Sequence, residues 1–293
     1  MGYHLLTEDT MPGSSPTVRR RQLAMELVRL RGQAGKTQQD AAEWLDIRDT
    51  GISKIETAKQ LPSVAQLRSL FQLYQVGSPH ADYLLQLRRE SAQRGWWVEY
   101  GKTVPNWFAD YIGMETAAAE TWSYESEFIP GLLQIAEYTE AVSYALEPTD
   151  SPEEIQRIVR LRADRQRRLT SEEPLILRAV INEAALRRAV GGPEVMRAQL
   201  VHLAEVAKLP NVTVQVLAFS AGAHRGMPGS FAALRFPEES MNTVYLEIYG
   251  GALYVEDAPT VASYVEKFQA LADQSLNKEE TIKLIGTMIG SGP

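Results

Sequence analysis

Cysteine is absent from this chain of 293 residues, and histidine occurs only four times. Without cysteine there is no disulfide framework and no thiolate zinc site. The four histidines (His4, His80, His202 and His224) do not have the spacing of metal ligands. We therefore expect neither a metal nor a cofactor. A chain without cysteine fits a reducing compartment, and we expect a cytoplasmic protein.

Long apolar runs are missing as well. No stretch approaches the roughly 20 apolar residues that a membrane-spanning helix needs. The opening segment MGYHLLTEDTMPGSSP contains two acidic residues and no Lys or Arg, unlike a signal peptide. Leu6 stands where a myristoylation signal has Ser or Thr. We predict a disordered tail over residues 1–16 and no association with a membrane.

Motifs of catalysis are also lacking. The sequence has no GxSxG elbow, no phosphate-cradling glycine loop and no HExxH. Paired acids, Glu153-Glu154 and Glu279-Glu280, stand at predicted helix starts, where they complement the helix dipole. We expect no catalytic residues and no enzyme activity.

Charge is unevenly distributed along the chain. The net charge is −7, but residues 16–95 contain thirteen Lys or Arg against eight Asp or Glu, a balance of +5. Residues 96–293 carry −10. Because charges are screened over about 8–10 Å at physiological salt, the local sign decides whether phosphates are attracted. A basic N-terminal module of this modest surplus predicts weak non-specific binding to nucleic acid.

The N-terminal region has the pattern of a small helical domain. Leucines recur at helical spacing over residues 18–33, and Gly35 follows as a C-cap glycine. Further helices are predicted after the N-cap Ser63 and over residues 79–94. Together with the motif described next, they predict an all-α domain of five helices over residues 17–94.

Residues 37–56, TQQDAAEWLDIRDTGISKIE, have the pattern of a helix-turn-helix. Thr37 is a natural N-cap, and the small Ala41 stands where the two helices cross. Apolar residues follow at the spacing of a shared core: Ala42, Leu45, Ile47, Ile52 and Ile55. Two packed helices of an ordinary bundle are the alternative. The small crossing residue and the flanking helices favour a motif that places its second helix in the DNA major groove.

Beyond this region the pattern alternates between helices and strands. Gly95 and an aromatic cluster mark a change of domain, and we predict an aromatic linker over residues 95–110. Over residues 111–290 we predict an α+β domain with a mostly antiparallel sheet. Strands are predicted at 175–181, 212–217, 230–236, 243–249 and 252–255, and helices at 131–145, 152–169, 193–209, 259–275 and 278–289.

Three features of the second domain have two interpretations each. The segment GAHRGMPGSF (222–231) combines His224, Arg225 and Gly226 and is a candidate ligand or partner loop, although a plain glycine-rich connection is the commoner origin of such a segment. The arginines of residues 157–168 contact phosphate or an acidic partner, or else form a solvated face, which is the more frequent case. Several aromatic residues either line a ligand pocket or, more often, pack in a core: Trp122, Tyr124, Tyr245, Tyr249 and Tyr254.

Residues 17–75 resemble the lambda repressor/Cro-like helix-turn-helix regulators, known as the XRE family, along LRGQAGKTQQDAAEWLDIRDTGISKIETAKQLPS. The remainder resembles an actinomycete branch of these regulators with a C-terminal domain of uncharacterised function. The blocks that carry this resemblance are GWW (95–97), VPNWF (104–108), YIGMETAA (111–118), EFIPGLLQIAEYTEA (127–141), NEAALRRAVGGPEVMRAQLVHLAEVAKLPNVTVQVLAF (182–219) and GALYVED (251–257). The resemblance implies regulation, in the manner of antitoxin-like proteins that often act beside a small, separately encoded partner.

The resemblance also implies eight positions that contact DNA. They are Thr37 and Gln38 at the start of the first helix, and Arg48, Asp49, Thr50, Gly51, Lys54 and Lys59 on and after the recognition helix. Lys54 is the strongest candidate, because its ammonium group suits guanine O6 and N7 or a phosphate oxygen. Glu56 is expected to cap a helix or pair within the fold.

This chain departs from the family pattern at three places. Asp46 stands at the left-handed turn, where the family has glycine. Arg48 and Asp49 replace Ser or Thr followed by Gln, and Asp49 is expected to cap the recognition helix. Ala58-Lys59-Gln60 replaces a glycine followed by two arginines. These changes predict a different operator sequence.

Two hypotheses of function follow. The first is a sequence-specific transcriptional regulator in the cytoplasm, associated with the nucleoid, that binds double-stranded DNA as a homodimer. A dimer is expected because specificity usually needs two half-sites about 34 Å apart. Its C-terminal domain would receive a protein or small-molecule signal. The alternative is an antitoxin-like module that sequesters a small partner protein encoded nearby and autoregulates through its DNA-binding domain.

Overall fold

The computed structural model describes residues 15–291, so most of the predicted tail lies outside the described residues. Two residues assigned to the tail are instead part of the fold. Ser15 is buried and its hydroxyl accepts a hydrogen bond from the Val18 amide at 3.2 Å. Pro16, also buried, opens the first helix, where a proline without an amide hydrogen is well tolerated. The chain divides into two compact units, residues 1–96 and 97–293.

The described part of the N-terminal unit contains the five predicted helices. Leucines of α1 face a core shared with the other four helices, and the small Ala41 and Ala42 are almost fully buried within it. Ser63 caps α4 through a reciprocal pair of hydrogen bonds with Gln66, as its position before an apolar run predicts. The helices are α1 (Pro16–Gln33), α2 (Gln38–Trp44), α3 (Asp49–Glu56), α4 (Val64–Leu73) and α5 (His80–Glu90).

The C-terminal unit combines six strands with seven α-helices over its described residues. The strands are β1 (Glu120–Glu125), β2 (Ile176–Asn182), β3 (Val212–Leu217), β4 (Phe231–Arg235), β5 (Thr243–Ile248) and β6 (Gly251–Val255). The helices are α6 (Asn106–Ala117), α7 (Ala136–Leu146), α8 (Pro152–Gln166), α9 (Glu183–Arg187), α10 (Pro193–Val206), α11 (Ala258–Gln274) and α12 (Lys278–Ser291). Short 3₁₀ segments lie at Trp96–Thr103, Gly131–Leu133, Arg167–Leu169, Phe219–Ala221 and Glu239–Met241.

The prediction of a mostly antiparallel sheet is wrong, because the sheet is mixed. Its strand order is β3-β2-β1-β4-β5-β6. β1, β2 and β3 run parallel, whereas β4, β5 and β6 are antiparallel to their neighbours. The parallel half follows from the connections: α7 and α8 separate β1 from β2, and α9 and α10 separate β2 from β3. A helical crossover returns the chain in the same direction.

The central strand β1 and the helix α6 are absent from the sequence predictions. Four consecutive residues of β1, from Thr121 to Tyr124, are buried, so the strand shows no alternation of apolar and polar residues. The helix α6 and the 3₁₀ segment before it occupy most of the stretch expected to be a linker, and Trp97 within it is buried.

The two faces of this sheet carry different residues. Trp122, Tyr124 and Phe231 point to the face covered by α11, where they form an apolar core with Phe268. Neighbouring residues along a strand point to opposite faces, so Ser123 and its cross-strand partner Ala232 face the other way. We call these the α11 face and the α6 face, since Tyr111 of α6 packs on Tyr245 of the second face at 4.3 Å between ring centroids.

Candidate nucleic-acid interface

The helix-turn-helix is shaped by caps and by one left-handed residue. The Asp40 amide donates to the Thr37 hydroxyl at 3.0 Å, and the Thr37 amide donates to the Asp40 carboxylate at 2.7 Å, so the predicted N-cap is confirmed. Asp46 has φ of 51°, in the left-handed region that favours glycine. The Ile47 amide then donates to the Ala42 carbonyl at 3.0 Å, which closes the turn before α3.

Arg31 and Glu56 form an ion pair that fixes the position of α3. The Arg31 Nε and Nη2 atoms donate to the two Glu56 carboxylate oxygens at 2.6 and 3.0 Å. Arg31 Nη1 also donates to the Lys36 carbonyl at 2.9 Å, and Gln38 Nε2 donates to Glu56 at 2.7 Å. The hydrogen-bonded Glu56 carboxylate raises the pKa of Arg31 above its ordinary value. Because these residues come from α1, the next loop, α2 and α3, the cluster joins every element of the motif, and the expected pairing of Glu56 within the fold is confirmed.

Most of the predicted contact residues are exposed. Exposed residues at the start of α2, at the start of α3 and after α3 are Thr37, Gln38, Arg48, Asp49, Thr50, Lys54 and Lys59. Gly51 is half-buried, because the Ile47 side chain lies on it and a methyl group there would stand 3.0 Å from Ile47 Cδ1. Its place is therefore one of close packing in the turn. Contact of any of these residues with DNA stays a prediction.

The expectation that Asp49 caps the recognition helix is wrong. Arg48 occupies the N-cap position and provides no side-chain cap, and Asp49 is the first helical residue. A carboxylate in the first turn still stabilises the helix dipole. Because no side chain caps α3, the amide groups at its start have no side-chain acceptor. Such amides are a favourable site for a phosphate oxygen.

The candidate loop 222–231 covers one aromatic residue of the sheet. Gly226 approaches the Tyr124 ring so closely that a methyl group there would stand 2.4 Å from a ring carbon. The His224 ring contacts Tyr124 edge-on at 5.9 Å, and His224 Nδ1 accepts from the Gly226 amide at 3.2 Å. Arg225 is exposed. The glycine here permits close packing, and the ligand role of the loop stays a prediction.

The favoured interpretation of the arginine-rich helix, a solvated face, is wrong for half of its residues. Arg157, Arg160 and Arg167 are exposed. Arg165 and Arg168 are only 6% exposed, and Arg162 is half-buried. Arg168 donates to the backbone carbonyls of Glu173 and Ala118, so it joins β1 and β2 to the end of α8.

Among the aromatic candidates, core packing is confirmed for Trp122, Tyr124 and Tyr245, which are buried. Tyr254 is half-buried and donates to the Trp107 carbonyl at 2.5 Å. Tyr249 is fully exposed at the turn between β5 and β6, so it belongs neither to the core nor to a pocket.

The sequence predictions missed a buried ion pair in the C-terminal unit. Arg165 Nε and Nη2 donate to the two Glu115 oxygens at 2.7 and 2.8 Å, and the Glu115 side chain is 2% exposed. Burial opposes the charge of Arg165, but the adjacent Glu115 carboxylate raises the pKa of the guanidinium overall. Fifty residues separate the partners, so no local pattern marks the pair.

Residues 15–291 contain no group of His, Asp or Glu arranged to hold a metal ion. The same stretch contains no helix that is long and apolar enough to cross a membrane.

Comparison with known proteins gives two family matches. Residues 22–84 match a family model described as a helix-turn-helix domain, which covers all of α2, α3 and α4. This domain indicates DNA binding and transcription regulation. Residues 108–287 match a model described as a domain of unknown function, DUF5753. No curated protein and no solved structure matches the chain. Because the DUF5753 model matches more than half of the chain, this chain belongs to the DUF5753 family, with a helix-turn-helix domain preceding the family domain.

Proposed function

We propose that this protein is a sequence-specific transcriptional regulator of the XRE type, in the actinomycete branch that the sequence resembles. The supporting observation is the exposure of Thr50 and Lys54 on α3 and of Arg48 at its N-cap, since this helix is held by the Arg31–Glu56 pair. Arginine, lysine and threonine side chains are suited to guanine, phosphate and thymine methyl groups. Residues 17–94 act as the DNA-binding domain, and residues 111–290 as the regulatory domain.

The first test is selection of duplex DNA by the full chain from a random pool, followed by gel-shift titration of the enriched sequence. We expect Lys54→Ala to weaken binding about 5- to 150-fold, because one lost base or phosphate contact costs about 1–3 kcal/mol. If Lys54 contacts phosphate, the slope of affinity against salt also falls by about one. Lys208→Ala is the matched control, since Lys208 is an exposed lysine of the C-terminal unit that pairs with Glu205.

Two results would contradict this proposal. One is a selection that enriches no sequence, together with no gel shift at low salt. The other is a Lys54→Ala variant that binds the selected duplex as well as the Lys208→Ala control does.

We also propose that two copies bind one operator, because a single small module buries little DNA interface. The strand β6 supports this proposal: it is the edge of the sheet, and the adjoining hairpin exposes Ile248, Tyr249 and Leu253. A sheet edge beside exposed apolar side chains favours pairing with a second chain. Light scattering of the full chain should give a dimer that Leu253→Glu converts to a monomer and that Val201→Glu, on an exposed position of α10, leaves intact.

The antitoxin-like alternative assigns the same exposed hairpin to a small separately encoded protein. A monomer in light scattering that co-purifies from its native host with one small protein, and loses it on Leu253→Glu, would favour this alternative. In either case we propose a cytoplasmic, nucleoid-associated protein without enzyme activity or cofactor, since the sequence carries no nucleophile and base at motif spacing.

A further inference from the structure

A group of charged and aromatic side chains lies together on the α6 face of the sheet. Arg162 and Arg165 reach it from α8, Glu115 from α6, Ser123 and Glu125 from β1, and Tyr245 from β5. We call this group the Arg162 crevice. Its floor is made of small residues, because Ser123 lies between Ala179 of β2 and Ala232 of β4 in one row across the sheet.

The two guanidinium groups of the crevice lie side by side. A methyl group on Gly131 would stand 3.5 Å from Arg162 Nη1 and 3.6 Å from Arg165 Nη1, so both groups border the same glycine. Arg165 is neutralised by Glu115 and lies over the Phe108 ring at 5.1 Å. Arg162 has no carboxylate partner in hydrogen-bonding range among the described residues. Its Nη1 atom donates to Gln134, and its buried Nε atom has no partner there.

A guanidinium in this position lacks the anion that such groups normally have. Burial, together with the neighbouring Arg165, lowers the pKa of Arg162 to about 10, so the cation is held at a cost in free energy. Buried charges are stabilised by paired, hydrogen-bonded counterions, and planar guanidinium groups suit carboxylates. The Ser123 hydroxyl, on a side chain only 5% exposed, also lacks a partner in the described part of the chain. Two buried hydrogen-bonding groups of this cluster, Arg162 Nε and Ser123 Oγ, are therefore without a partner among the described residues.

Further along the same face the sheet carries two acidic side chains. Glu125 follows Ser123 by two residues on β1 and Glu247 follows Tyr245 by two residues on β5, so both belong to the α6 face. The Tyr245 hydroxyl donates to Glu247 at 3.1 Å. Neither carboxylate forms an ion pair with a described residue. Both are close enough to Arg162 to stabilise its charge through space, but neither reaches hydrogen-bonding distance from it. Arg162 and these two acidic side chains thus lie near one another without a direct hydrogen bond.

We propose that the Arg162 crevice binds a small amino-carboxylate, such as an α-amino acid, with its carboxylate on Arg162 and its ammonium group facing Glu125 and Glu247. The rings of Tyr111 and Tyr245 form the apolar wall that a small-molecule site usually has. In the proposed regulator this ligand is the small-molecule signal, and that regulatory role rests on the proposed function. Binding of the ligand is independent of the proposed function, because every residue of the crevice lies in the C-terminal unit.

The test is isothermal titration calorimetry of the full chain with each of the twenty common L-amino acids. We expect at least one to bind with a dissociation constant of about 1 mM or below. Its amide, which lacks the carboxylate, and its N-acetyl derivative, which lacks the ammonium group, should each bind at least 10-fold more weakly. No binding by any amino acid, or equal binding of the amide or of the N-acetyl derivative, overturns the proposal.

Variants locate the site. Arg162→Gln should weaken binding at least 10-fold, whereas Arg160→Gln, an exposed arginine of the same helix, should leave it unchanged. Ser123→Ala removes only one hydroxyl group and should weaken binding a few-fold. This variant tests the site even if the Arg162→Gln protein does not fold. An amino acid that binds a folded Arg162→Gln protein as tightly as wild type overturns the assignment to this crevice.

DNA binding is measured separately by gel shift with and without the bound amino acid. Binding that requires Arg162 but leaves the gel shift unchanged supports the crevice and contradicts the signalling role in the proposed function. A failure of all DNA binding contradicts the proposed function and leaves the calorimetric result valid.

Discussion

The Arg31–Glu56 pair gives the sharpest prediction for the DNA-binding unit. Glu56→Gln keeps the size of the side chain but replaces one acceptor oxygen by an NH₂ group, which faces the donors of Arg31 and Gln38. The Glu56 side chain is 4% exposed, so the lost hydrogen bonds are not replaced by water.

The magnitude follows from the exposure of the partners. Breaking a fully buried ion pair by removing one charge costs about 3–5 kcal/mol. The Arg31 side chain retains 18% exposure, so water recovers part of its solvation. We therefore expect Glu56→Gln to destabilise α3 and the start of α2 by about 2–3 kcal/mol.

The assay is hydrogen exchange of the full chain, followed by mass spectrometry of peptides that cover residues 38–56. An effect of this size should speed exchange in these peptides by roughly 30- to 150-fold where they open locally, and peptides of α10 should not change. Glu43→Gln is the matched control. Glu43 is exposed and accepts only from Gln39, so we expect a change within about 0.5 kcal/mol.

A double-mutant cycle with Arg31→Met distinguishes a specific pair from general damage. The double variant should be less destabilised than the sum of the two single variants, because no unpaired charge remains. Equal exchange in Glu56→Gln and Glu43→Gln, or strictly additive effects in the cycle, would refute the argument that this pair positions α3.

Two further predictions concern backbone conformation and pH. Ala58 has φ of 57° after α3, where the Lys59 and Gln60 amides donate to the Lys54 carbonyl, so Ala58→Gly should raise the free energy of unfolding by about 0.5–1 kcal/mol. Ala34→Gly, at φ of −77°, should lower it in the same urea titration, and a loss of stability in Ala58→Gly would contradict the argument. Burial raises the pKa of Glu125 to about 7 from an ordinary value of 4.5. The folded protein therefore keeps the Glu125 proton up to a higher pH than the unfolded chain does. As a result, the contribution of Glu125 to the free energy of unfolding falls as pH rises from 4.5 to 7. Glu125→Gln should match wild type near pH 4.5 and exceed it by about 1–2 kcal/mol at pH 8, and a less stable variant at pH 8 would show the opposite sign.

The sequence predicted the DNA-binding unit well because its signals are local. A cap such as Thr37 and its partner Asp40 are three residues apart, and the left-handed turn at Asp46 lies between two short apolar repeats. The cap follows from this spacing alone, whereas the position of the left-handed turn was implied by the family resemblance. The cap assigned to Asp49 failed by one position, since Arg48 takes the N-cap backbone conformation instead.

The C-terminal unit was predicted less well for reasons that spacing cannot reveal. The strand β1 is buried on both faces at the centre of the sheet, and its residues Thr121 to Tyr124 give no alternating pattern. The predicted direction of β3 was wrong. The short turns between β4, β5 and β6 indicated antiparallel neighbours, and the same direction was assumed for β3, although a helical crossover precedes it and makes it parallel to β2.

The sequence by itself determined that a basic helix-turn-helix is joined to an acidic domain of helices and strands, because caps, periodicity and charge are properties of contiguous residues. Only the tertiary structure decided which charges meet. Arg165 and Glu115 are 50 residues apart, and the crevice around Arg162 needs α6, α8, β1 and β5 in one place. The arginines of α8 look alike in sequence, and burial alone separates those that face water from those that require a partner.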